Sequence, residues 1–389
     1  MSKAAAALPW ALIAAACFGS FAASSSGTTR APFLLDMAHD LDVSMPLVAN
    51  LVSLTSVTWG LTSAVVGWLS DRIGRRAILV VAPFALGLSL FTQALAGSFF
   101  WVAVWSAVGG ACAGAFTGTI FAEVSAHVAD NQRGRALGWV MSGQSLTLLV
   151  GIPMAAAVGS LVGWRGWFWC MGGLSLAASL SLFTTVGRGS AEHTRGMVRR
   201  PFHAALSRQV LGLLATGVAE RICYGLAAVY FATFLQATYR LGLAEVALPL
   251  AIFAIGNVGG TILGGQLADR LRDRLMTFAV AMALSGVAAV GLFLWHPSPE
   301  ISVALGFIYV LLNALGRPSY MASLAAVPED VRGTVLGLNG AAASVGWMGA
   351  AALGAVMIAW VGFEGFAFLG LALAAAGAAV ALLCRPRPR

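Results

Sequence analysis

Charge is what this 389-residue chain has least of. Only 10% of its residues are Asp, Glu, Lys or Arg, where a soluble domain of this length carries about 25%. With 59% hydrophobic residues and a mean hydropathy of +0.86, its surface would aggregate in water, so its solvent must be largely lipid. Cysteine is scarce too. Cys17, Cys112, Cys170, Cys223 and Cys384 are scattered, mostly inside apolar runs, and lack metal-ligand spacing. They read as small packing residues, with no metal or cofactor expected. A G-x-x-x-x-G-K-[ST] phosphate loop is missing, which argues against ATP-driven pumping. No Ser/His/Asp or metal constellation stands in a polar segment, so an enzyme is disfavoured. Long polar segments are missing as well, which leaves a non-transporting membrane sensor little to signal with.

What is present is apolar length. The runs are rich in Ala, Leu and Gly. They fit helices of about 20 residues crossing hydrocarbon, not the ten-residue alternation of a transmembrane barrel. Twelve spans are predicted: 8–30, 45–68, 77–97, 100–127, 135–160 and 165–187, then 206–235, 245–267, 275–295, 300–326, 333–360 and 363–384. The first is too long, and too rich in Ser and Thr at its end, for a signal peptide. The +8 net charge is topological and not a nucleic-acid surface. Arginines cluster in alternate loops, at Arg72, Arg75 and Arg76, at Arg133 and Arg135, at Arg188 to Arg208, at Arg270 to Arg274, and at the C-terminus. Asp36, Asp40, Asp42, Glu245, Glu300 and Glu364 populate the other loops. The positive-inside rule places the basic loops and both termini in the cytoplasm. The multi-pass protein is thus expected in a bacterial inner membrane.

The densest charge is G-W-L-S-D-R-I-G-R-R, Gly67 to Arg76, with an echo, G-G-Q-L-A-D-R-L-R-D-R, from Gly264 to Arg274. Asp71 and Asp269 are 198 residues apart. R-G-R-A-L-G at Arg133 returns as R-G-T-V-L-G at Arg332, and G-W-R-G-W-F-W at Gly163 as G-F-E-G-F-A-F at Gly362, both shifted by 199. Three anchors at nearly one offset predict a duplicated chain. Residues 1–187 form an N-terminal six-helix bundle, 188–205 a cytoplasmic linker and 206–389 a C-terminal six-helix bundle. Repeats of this kind mark transporters.

On these motifs the chain resembles the major facilitator superfamily over essentially its whole length, most closely its bacterial drug/proton antiporters and sugar-efflux-type permeases. R-G-R-A-L-G followed by Gly143, Gly151, Pro153 and Gly159 partly matches the glycine-proline motif of exporters. Trp105 stands where many proton antiporters keep an arginine in span four, and Ala155 and Ala156 replace paired glycines. The resemblance implies an all-α fold of two pseudo-symmetric bundles, alternating access, and a substrate bound between the halves by spans one, four, seven and ten. It gives Gly67, Asp71, Arg72, Gly74, Arg75 and Arg76 a gating role at the cytoplasmic side, with Asp269 and Arg270 as a weaker counterpart. It also implies an acidic residue near the end of span four that pairs with the motif arginines, a part that Glu123 and Asp130 both fit.

Ionisable residues inside spans are the remaining signal, since a charge at the bilayer centre costs roughly 2.5 kcal/mol or more. Glu220 and Arg221 lie about 18 Å beyond Arg208 along a helix, near mid-membrane. Glu220 shares a face with Tyr224. Asn313, Arg317 and Tyr320 follow helical spacing in span ten. Burial favours the protonated form of a carboxylate in general, so Glu220 is the first proton-coupling candidate and Glu123 the second. Arg317 keeps its charge and suits an anionic substrate. A static pairing of Glu220 with Arg317 or Arg221 explains the same residues without function. Thr119, Glu123 and His127 share a face of span four. Ser20, Ser24, Gly27 and Thr28 share one of span one, lining a cavity or bonding their own helix. Arg30 is expected to snorkel to the outer interface, and Trp164, Trp167 and Trp169 to form an interfacial belt. Asn257 and Asn339 fit helix packing and cavity contact equally.

The sequence therefore predicts a monomeric secondary transporter that moves a small organic molecule, coupled to protons and directed outward. An uptake symporter of a small organic anion, motivated by Arg221 and Arg317, is the alternative.

Overall fold

The computed structural model describes residues 8–129, 132–187, 207–271, 273–327 and 329–385. The predicted linker 188–205 and Asp130 fall outside the described residues, as do the side chains of Asp71 and Arg332. Among the described residues the chain is helical without strands. In chain order the helices are α1 (Trp10–Thr28), α2 (Leu34–Asp40), α3 (Met45–Ile73), α4 (Arg75–Leu95), α5 (Phe99–Ala126), α6 (Arg133–Leu146) and α7 (Ile152–Thr185). Then follow α8 (Arg208–Tyr239), α9 (Ala247–Arg270), α10 (Arg274–Leu294), α11 (Pro299–Ala325), α12 (Glu329–Trp360) and α13 (Gly365–Leu383).

Eleven helical stretches among the described residues are long and apolar enough to cross a membrane. One of them, Arg133–Thr185, is 53 residues long and holds two spans. Gly163 breaks it with φ 69° and ψ 175°, a conformation that glycine adopts at little cost. The predicted twelve-helix architecture therefore stands. Gly362, one repeat length later, has φ 87°, so both halves use a glycine at the same turn. A π-helical turn at Thr147–Gly151 precedes Pro153, which has no N–H to offer the carbonyl four residues back.

The chain divides into two compact units, one drawing on Met1–Val43 and Leu54–Met197, the other on Ser44–Ser53 and Val198–Arg389. Each repeats the same internal packing. In the first, α4 packs on α5 and α7, and α1 on α6 and α7. In the second, α10 packs on α11 and α13, and α8 on α12 and α13. Close seams rest on glycine. On α5, a Cβ at Gly110 or Gly114 would strike the Thr55 or Trp59 carbonyl of α3. The corresponding seam of the second unit joins α9 and α11, and there Gly260 and Gly264 of α9 meet the Leu311 and Leu315 carbonyls. Without a hydrophobic drive between helices in lipid, such close approach supplies the attraction. Large apolar side chains such as Leu161, Trp360 and Leu383 stand outside, as a lipid-facing surface requires.

Two expectations for the first unit fail. Arg30 does not snorkel. Its side chain is buried, with Nη2 donating to Gln93 Oε1 at 2.8 Å and Ser106 Oγ at 3.2 Å and the guanidinium near the Phe168 ring. The chain turns inward after α1 through Ala31–Phe33, which carries the arginine into the bundle. Trp164 and Trp167 are also buried. Their indoles donate to Asp40 Oδ2 and Thr29 Oγ1, both at 2.9 Å, so they fasten the α1–α2 corner onto α7. Only Trp169 is exposed, stacked on Phe91.

Candidate functional site

The residues predicted on spans seven and ten meet inside the second unit. Glu220 of α8 is 1% exposed. Its Oε1 accepts from Arg317 Nε at 3.1 Å and from Arg317 Nη2 at 2.9 Å. Arg317 sits in α11 just before Pro318. Its Nη1 donates to Asn257 Oδ1 of α9 at 3.4 Å, and its guanidinium lies 5.0 Å from the centre of the Tyr224 ring. Asn257 Nδ2 in turn donates to the Tyr224 hydroxyl at 2.8 Å. Arg221 Nε is 3.5 Å from Glu220 Oε2. The sequence neighbours thus pair despite pointing about 100° apart on the helix. The result is one carboxylate between two guanidiniums, fixed by three helices.

The rest of the predicted stripe divides. Tyr320 donates to Asn339 Oδ1 at 2.8 Å and packs where a Cβ at Gly217 would strike its hydroxyl. Asn313 is buried with its Nδ2 3.9 Å from Met282 Sδ, turned toward α10 and away from Arg317. Sequence spacing put all three on one face, but an arc of that width reaches two neighbouring helices. Asn257 belongs to the cluster, which its spacing did not decide. Trp347 of α12 was not anticipated. It sits edge-on to Tyr224 with ring centres 5.6 Å apart, and no period or charge in the sequence marks it.

In the first unit Glu123 is fully buried near the end of α5. His127 Nδ1 lies 3.6 Å from its Oε1 and Arg75 Nη1 4.0 Å from its Oε2. Thr119 is buried and returns its hydroxyl to the Ala115 carbonyl. Ser24 is half-buried and its carbonyl accepts from Thr28 Oγ1. Ser25, unpredicted, shares a 3.1 Å hydrogen bond with Thr147 of the π-helical turn. In the charged motif, Gly74 begins α4 with φ 85°, Arg72 lies over Trp68 at 4.0 Å, and Arg76 donates to the Phe183 carbonyl at 2.9 Å. Gly67 has nothing within 4 Å of where a Cβ would stand, so it serves no close approach here. Asp269 and Arg270 are exposed at the end of α9. Among the described residues no group of His, Cys, Asp and Glu could hold a metal ion.

Comparison with known proteins agrees with this architecture. The family model described as Major Facilitator Superfamily matches residues 16–279 and 210–389. A chloramphenicol resistance protein of Streptomyces lividans is 25% identical over 312 residues, covering 76% of this chain and 79% of that one. A probable sugar efflux transporter of Helicobacter pylori (strain P12) is 22% identical over 351 residues, covering 87% and 86%. In fold, the chain is similar to a bacterial homologue of the human lysosomal transporter Spinster. The TM-score is 0.73 at 14% identity, covering 99% of this chain and 96% of that one.

Proposed function

Since the chain belongs to the Major Facilitator Superfamily, we propose that it is a proton-coupled secondary transporter that exports a small organic molecule from a bacterial cell by alternating access. It works as a monomer in the inner membrane with both termini in the cytoplasm. The similarity to proteins named for chloramphenicol resistance and sugar efflux supports the outward direction. One observation carries the proton reading, the buried Glu220 held by Arg317 across two helices. A buried ion pair is a two-state element, because neutralising one member leaves the other uncompensated in a medium that penalises it. A proton on Glu220 removes the charge that Arg317 holds and frees α11 from α8. Loss of the proton restores the clasp. The Gly67–Arg76 motif, with Glu123 beside Arg75, acts as the cytoplasmic gate, and Asp269 and Arg270 as its lesser counterpart.

A thermal-shift screen of drugs and metabolites, chloramphenicol and simple sugars included, finds the substrate. In proteoliposomes with a trapped pH dye, adding that substrate then changes lumenal pH. Glu220→Gln abolishes the change while the purified variant still binds. Full pH-dependent transport by Glu220→Gln sinks the assignment. Accumulation in right-side-out vesicles under an inward proton gradient makes the protein an uptake symporter, and binding without movement makes it a sensor.

A further inference from the structure

The two arginines beside Glu220 are not equivalent. Arg317 is fully committed. Two of its nitrogens share Glu220 Oε1, a third reaches Asn257, and its plane lies against Tyr224. Arg221 makes one long ion pair, 3.5 Å from its Nε to Glu220 Oε2. Its side chain is 23% accessible against 16% for Arg317 and 1% for Glu220. Its stem is admitted by a glycine of α12, since a Cβ at Gly346 would strike the Arg221 Cβ. The next residue on α12 is Trp347, whose ring meets Tyr224.

Charge balance gives this asymmetry a consequence. With Glu220 ionised, the cluster holds two positive charges against one negative. The other acids of α8, α9, α11 and α12 are Asp269, Glu300, Glu329 and Asp330. All lie a dozen or more residues along their helices from the cluster, about 18 Å or further. A surplus cation within a membrane span is costly unless something answers it. Arg221 has free guanidinium donors in the fork geometry that matches a carboxylate, sulfonate or phosphate, and one turn along α8 the Trp347 ring packs over Gly225 and against Tyr224.

We infer that Arg221 is the substrate-recognition residue of the cluster and that the substrate is a small organic anion with an apolar body. Arg317 is the internal partner of Glu220. This inference rests on the reading of the cluster as the proton and substrate site of a transporter.

The test uses the purified full-length protein in lipid nanodiscs and a series of aromatic carboxylates with their amides, benzoate with benzamide and phenylacetate with phenylacetamide among them. Tryptophan fluorescence and thermal shift report binding. At least one acid should bind about tenfold or more tighter than its amide. Arg221→Gln should erase that difference, and Arg221→Lys should keep part of it, because a point charge replaces the fork. Equal binding of acids and amides by the wild type, including no binding of either, overturns the inference. So does undiminished discrimination by Arg221→Gln. Glu220→Gln should keep the preference for acids while losing proton coupling. If it keeps both, the proton assignment falls and the role of Arg221 stands.

Discussion

Arg30 brings a full charge into a place built of amides and hydroxyls. Its hydrogen-bond partners are Gln93, Ser106 and Thr55, all neutral, and its Nε has no hydrogen-bond partner. An ionic donor without good acceptors costs more than the bond itself contributes. Gln93→Leu removes the closest acceptor and should lower stability by about 3 kcal/mol. The double variant Arg30→Met with Gln93→Leu should recover most of that loss. Thermal denaturation of the purified proteins checks both, and a double variant no better than the single one contradicts the account. This arrangement was not legible in the sequence. Arg30 sits at the end of a span, where snorkelling is the ordinary outcome, and its partners lie 63 and 76 residues away. Glu220 and Arg317 were legible, because a charge at the centre of an apolar run is conspicuous whatever its partner. Which arginine stays open was not, since that depends on the glycine opposite Arg221.

Helices were the most readable elements. Apolar length, the arginine clusters and the 198–199-residue offset each follow from local composition, and the structure returns the same spans in the same order. Packing between helices was less readable, because a glycine in a sequence does not say which neighbour it admits. Gly259 and Gly260 of α9 make the point. A Cβ at Gly259 meets nothing within 4 Å, whereas one at Gly260 would strike the Leu311 carbonyl. Gly259→Ala should be neutral or stabilising by up to about 1 kcal/mol through helix propensity. Gly260→Ala should destabilise by about 1–3 kcal/mol through overpacking. Melting temperatures that move together for the two variants would contradict the seam.

For the molecule as a whole, the proposed orientation predicts which loops meet which solvent. In a background without the five cysteines, Asp42→Cys should react with a membrane-impermeant maleimide in intact cells, and Asp269→Cys only after permeabilisation. The reverse pattern inverts the topology. The two units share a packing plan but not its details. Spans two and four of the first unit and spans eight and ten of the second form the same seam. The glycines stand on span four in one and on span eight in the other. Each half places its small residues on a different side of the joint and keeps a backbone face opposite them. What the two halves share is therefore the fit of two surfaces, and a hybrid that joins span four of one half to span eight of the other would bring glycine to glycine and leave a gap.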